Sequence, residues 1–180
     1  MNSVTDDELY RRYRSGNRRA FDELYERFRQ PLYNYVRRSV SADRVDELYQ
    51  DIWLKVIATS ARYQNNGRFR QWVFTCAHHL IVDEYRRSSR GEEVPLPELA
   101  APTKADDEFK SKIDQAILRL PMEQRQAFYL RHELDCSVAE IAEIQGCATE
   151  AAKSRLRYAY AKLKDQLKAE LKSQSKDNTE

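Results

Sequence analysis

Residues 137–163 read SVAEIAEIQGCATEAAKSRLRYAYAKL, and their spacing predicts a helix-turn-helix. Ser137 with Glu140 three positions on is a capping box that opens a helix, and Ile141, Ala142 and Ile144 give that helix one apolar face. Gln145, Gly146 and Cys147 break it. A second helix is expected from about Thr149, with Ala152, Leu156, Ala159, Leu163, Leu167 and Leu171 as its buried stripe. The same spacing turns Lys153, Ser154, Arg155 and Arg157 outward. Two helices joined by a tight glycine turn, the second presenting donors near its start, fit a DNA major groove. The plain alternative is a helical hairpin within an ordinary bundle.

The rest of the chain keeps a helical period. Glycine occurs only four times and strand-like alternation is absent, so an all-α fold is expected. Thr5 with Glu8 forms a second capping box, opening a short helix that stops near Gly16. Phe21, Leu24, Tyr25, Phe28, Leu32, Tyr35 and Val36 stripe a long helix, which Pro31 is expected to kink. Val45, Leu48, Ile52 and Val56 mark a third helix, and residues 63–68 a polar loop. Trp72, Val73, Cys76, Leu80 and Ile81 mark a fourth, ending at Arg86 and Arg87. From about residue 88 to 107 the pattern fails, with Pro95, Pro97 and Pro102 set among acids. Ile113, Ile117 and Leu120 then lead to Pro121, a helix start, and on to the helix-turn-helix. The expectation is two small helical domains, residues 1–90 and 111–172, joined by a flexible acidic linker over 91–110 and followed by a polar tail over 173–180.

Composition narrows the function. The 31 Lys and Arg nearly balance 29 Asp and Glu, for a net charge of +2, but residues 1–90 carry an excess of cations and 91–112 an excess of acids. Between residues 149 and 168, Lys153, Arg155, Arg157, Lys162, Lys164 and Lys168 meet only Glu150 and Asp165, a basic face suited to a polyanion. Cys76, Cys136 and Cys147 are odd in number and lack any CxxC, so they read as small buried residues in a reducing cytosol. No stretch has the length or apolarity of a signal peptide or membrane span, which predicts a cytoplasmic protein without membrane insertion. No phosphate loop, nucleophile elbow or metal-spaced cluster appears, so neither an enzyme, a cofactor nor a small-molecule substrate is expected. Cys76 and His79 share a helix face while His78 points elsewhere, so no metal site is expected from them.

Three segments, in order, resemble the extracytoplasmic-function branch of the sigma-70 family. AFDELYERFRQPLYNYVRR and DELYQDIWLKVIATSARY look like the helices of sigma region 2 that grip the largest polymerase subunits. FRQWVFTCAHHLIVDEYRRSSR is similar to the family pattern FRAWLYRIARNLAIDHLRR, which melts and reads the minus-ten element. LPMEQRQAFYLRHELDCSVAEIAEIQGCATEAAKSRLRYA is similar to the region 4 pattern LPxxxRxxxxLRxxxxxSxxEIAxxxGxSxxTVKSRLxRA, which reads the minus-thirty-five element.

The resemblance implies an alternative sigma factor that binds core RNA polymerase and promoter DNA and is restrained by an anti-sigma factor. Asp46, Glu47, Gln50, Asp51 and Trp53 are then the expected polymerase grip; on the residues alone, Asp46, Gln50 and Asp51 share one helical face with Trp53 close by, and a solvated acidic face is the bland reading. Tyr63, Asn65, Asn66, Arg68, Phe69, Arg70 and Trp72 offer aromatic platforms beside cations for flipped bases, though Phe69 and Trp72 also fit a plain core. His79, Arg86 and Arg87 extend that surface, and Thr149, Lys153, Ser154, Arg155 and Arg157 are the expected minus-thirty-five contacts. Ala148 stands where the family has a capping Ser, Ala151 and Ala152 replace its Thr-Val, and His79 replaces a base-contacting Asn. A free-standing helix-turn-helix repressor or activator is the alternative, and it has no need of the minus-ten segment.

Overall fold

Thr5 opens the fold: its hydroxyl accepts from the Glu8 amide at 3.2 Å and caps α1 (Asp6–Arg14). The computed structural model describes residues 4–64, 66–88 and 105–177, with side chains placed for all of these except 105–110 and 169–177. α1 stops at Gly16, whose φ of +95° is one that a side chain resists. α2 (Arg18–Arg37) runs through Pro31 as a single helix, because Leu24, Phe28, Leu32, Tyr35 and Val36 bury one face on both sides of it. α3 (Val45–Thr59) and α4 (Phe69–Ser88) complete the first half. Arg44 ties the entry of α3 to the end of α4, its Nε 2.8 Å and its Nη2 3.3 Å from the two oxygens of the buried Glu84. That hydrogen-bonded carboxylate is the main reason the Arg44 pKa is raised.

The second half comprises α5 (Ala105–Leu118), α6 (Met122–His132), α7 (Val138–Ile144) and α8 (Thr149–Asp177), so the described residues are all-α as expected. Two boundaries differ from the sequence reading. α5 begins inside the expected linker and α8 runs on into the expected tail, both through sequence rich in helix formers and free of Gly and Pro. Residues 89–104, with the three linker prolines, lie outside the described residues. Arg125, buried in α6, donates to the Leu118 carbonyl at the end of α5; desolvation lowers its pKa to about 10. Among the described residues, no helix is long and apolar enough to cross a membrane.

The linker is not all that joins the halves. One buried cluster runs from Leu9 in α1 to Leu156 in α8, and α4 lies against α7. The Tyr129 ring of α6 sits 5.7 Å from that of Tyr35, and its hydroxyl donates to the Pro31 carbonyl at 2.8 Å. Between them Gln126 is 1% exposed, its Nε2 donating to Ser39 Oγ at 3.2 Å and its Oε1 lying 2.9 Å from His78 Nδ1. A smaller cluster of Ala116, Ile117, Leu120, Ala159 and Leu163 packs α5 on α8. Sequence periodicity shows which faces are apolar but not which distant face each one meets.

Burial lowers the pKa of His78, while Gln126 and Glu123 raise it and His79 and Arg155 lower it further. The packed state therefore holds a neutral imidazole, and the separated state takes up a proton more readily. The junction is expected at full strength above His78's ordinary value of 6.5 and to weaken as pH falls below it. X-ray scattering between about pH 8 and about pH 5.5 should show the chain expanding on acidification, with the effect flattened in His78→Asn.

Candidate nucleic-acid interface

Asp7 builds the first surface. Its Oδ1 accepts from the Tyr63 hydroxyl at 2.6 Å and the Gly67 amide at 3.0 Å, and its Oδ2 from the Phe69 amide at 3.2 Å. Gly67 takes φ +82°, which lets the loop turn back on that carboxylate. Tyr63 in turn accepts from the Arg68 amide at 3.1 Å, and desolvation followed by Asp7 raises its phenol pKa. Sequence reasoning missed Asp7, whose place in a first helical turn gave no hint of a loop sixty residues away.

Above this scaffold, Tyr63 and Trp72 stack with ring centroids 4.9 Å apart and planes 29° apart, both half-buried. They floor a cleft of about 320 Å³ whose rim includes Asn66, Arg68 and Gln71. Such a floor offers a face to an unstacked base, and the rim offers donors to a phosphate. Phe69, expected here, is 2% exposed and packs edge-on against Phe28 at 5.7 Å, so it supports the loop from below. Arg68 and Arg70 are exposed, and Asn65 lies outside the described residues. Trp72, His79 and Arg86 recur every seven residues and so share one face of α4, where His79, Arg86 and Arg87 are exposed.

On α3 the exposed face carries Asp46, Glu47, Gln50 and Asp51, with Asp46 accepting from the Tyr33 hydroxyl at 3.2 Å. Trp53 is not part of it. That indole is 6% exposed, 4.9 Å from Tyr25 and 5.9 Å from Phe21, because position 53 continues the turn of the buried stripe. Leu54 at 64% exposure and Ile57 at 41% stand on the acidic face instead. Their signal was apolar residues out of register with the stripe, an exposed pair of the kind a partner covers.

In the helix-turn-helix, both halves of the Ser137 capping box form: Glu140 N donates to Ser137 Oγ at 3.2 Å, and Ser137 N to Glu140 Oε2 at 2.8 Å. Gly146 makes the turn with φ +58°, and the Ala148 carbonyl accepts the amides of Ala151 and Ala152 in the first turn of α8. Thr149, Lys153 and Arg157 are exposed and Ser154 is half-buried. Arg155 turns inward, contrary to the sequence reading. Its Nη2 is 2.6 Å from Glu123 Oε2, and its Nη1 is 2.9 Å from Gln145 Oε1 and 3.2 Å from Cys147 Sγ. Gln145 also donates to the Glu123 carbonyl at 2.9 Å, so the guanidinium clamps α6, the turn and α8 together. Beside it Arg157 lies 5.2 Å over the ring of exposed Tyr158, a residue the sequence reading passed over.

Comparison with known proteins matches the Sigma-70 region 2 family model to residues 24–91 and the Sigma-70, region 4 family model to residues 110–163. RNA polymerase sigma factor CarQ of Myxococcus xanthus is 30% identical over 166 residues, covering 87% of this chain and 94% of CarQ. ECF RNA polymerase sigma factor SigM of Mycobacterium tuberculosis is 28% identical over 162 residues, covering 88% of this chain and 83% of SigM. In fold, the chain is similar to the sigma factor RpoE from Bartonella quintana, solved with the anti-sigma factor NepR. The TM-score is 0.71 at 23% identity, over 82% of this chain and 96% of that one.

The clamp predicts a separation of roles on α8. Arg155→Ala leaves the Oε1 of buried Gln145 without its donor and removes the tie to Glu123, and should destabilise the helix-turn-helix by ~1–3 kcal/mol, read as a lower calorimetric unfolding midpoint. Lys153→Ala, at an exposed site, should leave that midpoint in place.

Proposed function

The chain belongs to the extracytoplasmic-function branch of the sigma-70 family of RNA polymerase sigma factors, and from that premise we propose which surfaces it uses to bind core polymerase and promoter DNA. It acts as an alternative sigma factor, directing promoter recognition, melting and initiation. Residues 1–90 form the region 2 domain and 111–172 the region 4 domain. The exposed face of α3 docks on core RNA polymerase: Asp46, Glu47, Gln50 and Asp51 supply charge and polarity, and Leu54 and Ile57 supply apolar area. Trp53 holds that helix from beneath.

The cleft over the Tyr63–Trp72 stack captures the opened minus-ten strand, and it is the observation that carries this reading, since a free-standing repressor has no use for it. Asn65, Asn66, Arg68 and Arg70 hold bases and backbone, and His79, Arg86 and Arg87 carry the strand along α4. His79 presents an imidazole in place of an amide, which gives this chain its own preference at one base. Thr149, Lys153, Ser154 and Arg157 face the minus-thirty-five element while Arg155 sets the angle of α8. An anti-sigma factor is the further partner, by analogy with the complex of the structural relative. The chain binds and positions, with no catalytic step of its own, and works in the cytoplasm beside the polymerase.

Run-off transcription with purified core polymerase on a promoter library tests the whole reading and yields the promoter motif. For the docking face, Leu54→Asp should abolish co-purification with core while leaving the unfolding midpoint unchanged. Trp53→Ala should instead cost ~3–5 kcal/mol of stability through the cavity it leaves. Core association of Leu54→Asp at the wild-type level would refute α3 as the grip.

A further inference from the structure

Glu143 projects from α7 in the second half, yet it lines the cleft of the first. Its Oε2 accepts from Arg68 Nη1 at 2.9 Å and also from Gln71 Nε2, so one carboxylate oxygen takes two donors of the rim. These are the donors a strand phosphate would use, and a carboxylate offers them the same single negative charge on an oxygen acceptor. We propose that the α6–α7 face of region 4 is a docking surface for region 2 of the same chain, and that Glu143 occupies the minus-ten cleft as a stand-in for a DNA phosphate. The inference rests on reading that cleft as the strand site.

The rest of the junction holds Glu143 there. Beneath it Gln126 joins His78 and Ser39, Tyr129 joins Pro31, and Arg38 Nη2 lies 3.5 Å from Asp114. A strand phosphate and Glu143 cannot both take Arg68 Nη1 and Gln71 Nε2, so strand binding displaces the Glu143 carboxylate and removes its contribution to the contact of α7 with α4. Ligand and packing then compete by linkage: whatever loosens the junction raises strand affinity. The Arg68–Glu143 pair is half-exposed, with side chains 58% and 51% accessible, so its share is modest and the latch can be released.

The test uses the free full-length chain and a labelled single-stranded oligonucleotide carrying the non-template minus-ten sequence found by the promoter library. Glu143→Gln keeps the shape and removes the charge. It should bind about three- to tenfold tighter than wild type in anisotropy and show a larger radius of gyration by X-ray scattering. Glu26→Gln removes one exposed charge from α2, away from the cleft, and should change neither. In holoenzyme, where the strand already holds the cleft, Glu143→Gln should transcribe at the wild-type rate. Equal strand affinity for wild type and Glu143→Gln, or an equal gain in Glu26→Gln, overturns the proposal. Arg68→Ala separates the two failures: if holoenzyme carrying it transcribes normally, the cleft is not the strand site and both readings fall. If it is impaired while Glu143→Gln binds like wild type, only the latch is lost.

Discussion

The side-chain amide of Gln126 is buried between two halves of one chain, where it must satisfy both its ends at once. A lone amide sealed from water is costly, and apolar faces alone would tolerate sliding by a turn in either direction. The observed register gives Gln126 a partner in His78 on one side and in Ser39 on the other. That register lays α7 across α4 and sets Glu143 over the cleft. The buried polar contact thus fixes position more than it adds strength, and the position decides which surfaces stay free.

A second constraint links the core to the proposed strand site. Ring contacts pass from Phe28 to Phe69 at 5.7 Å, to Tyr10 at 5.0 Å, to Tyr63 at 5.1 Å and to Trp72 at 4.9 Å, from three buried rings out to two half-buried ones. Asp7 pins the loop at three points along that path. The outermost rings are therefore held in place by the innermost, so a flipped base meets a platform ordered before it arrives. Preorganisation of this kind lowers the ordering cost of binding at the proposed strand site.

Local features of this fold were legible in the sequence. The Ser137 box, the Gly146 turn, the stripe Ala152, Leu156, Ala159 and Leu163, and the stops at Gly16 and the 63–68 loop all depend on neighbours within a few residues. What escaped was direction. Trp53 and Leu54 are adjacent, 100° apart on a helix, and composition alone did not say which one the core would claim. Arg155 matched a DNA-reading motif by type, yet Glu123 lies in another helix and draws it inward. Asp7 and Glu143 are ordinary surface acids until the tertiary fold brings each to the same loop from opposite ends of the chain. Long-range pairing of polar groups leaves no period to read.

The packed chain leaves its surfaces unequally available. Leu54 and Ile57 on α3 are open, and so are Thr149, Lys153 and Arg157 on α8, while the rim of the cleft is engaged by Glu143. The proposed polymerase face on α3 is therefore open in the packed chain, whereas the proposed strand site is already engaged. A long-range charge on α8 can also still attract duplex DNA. On the proposed roles, the cost of displacing Glu143 falls on strand capture, the step for which a base enters the Tyr63–Trp72 cleft. A free chain meeting stray single-stranded nucleic acid is held back at that same step, so the packing favours opening only where polymerase and promoter together offset the contacts of Gln126, Tyr129 and Glu143.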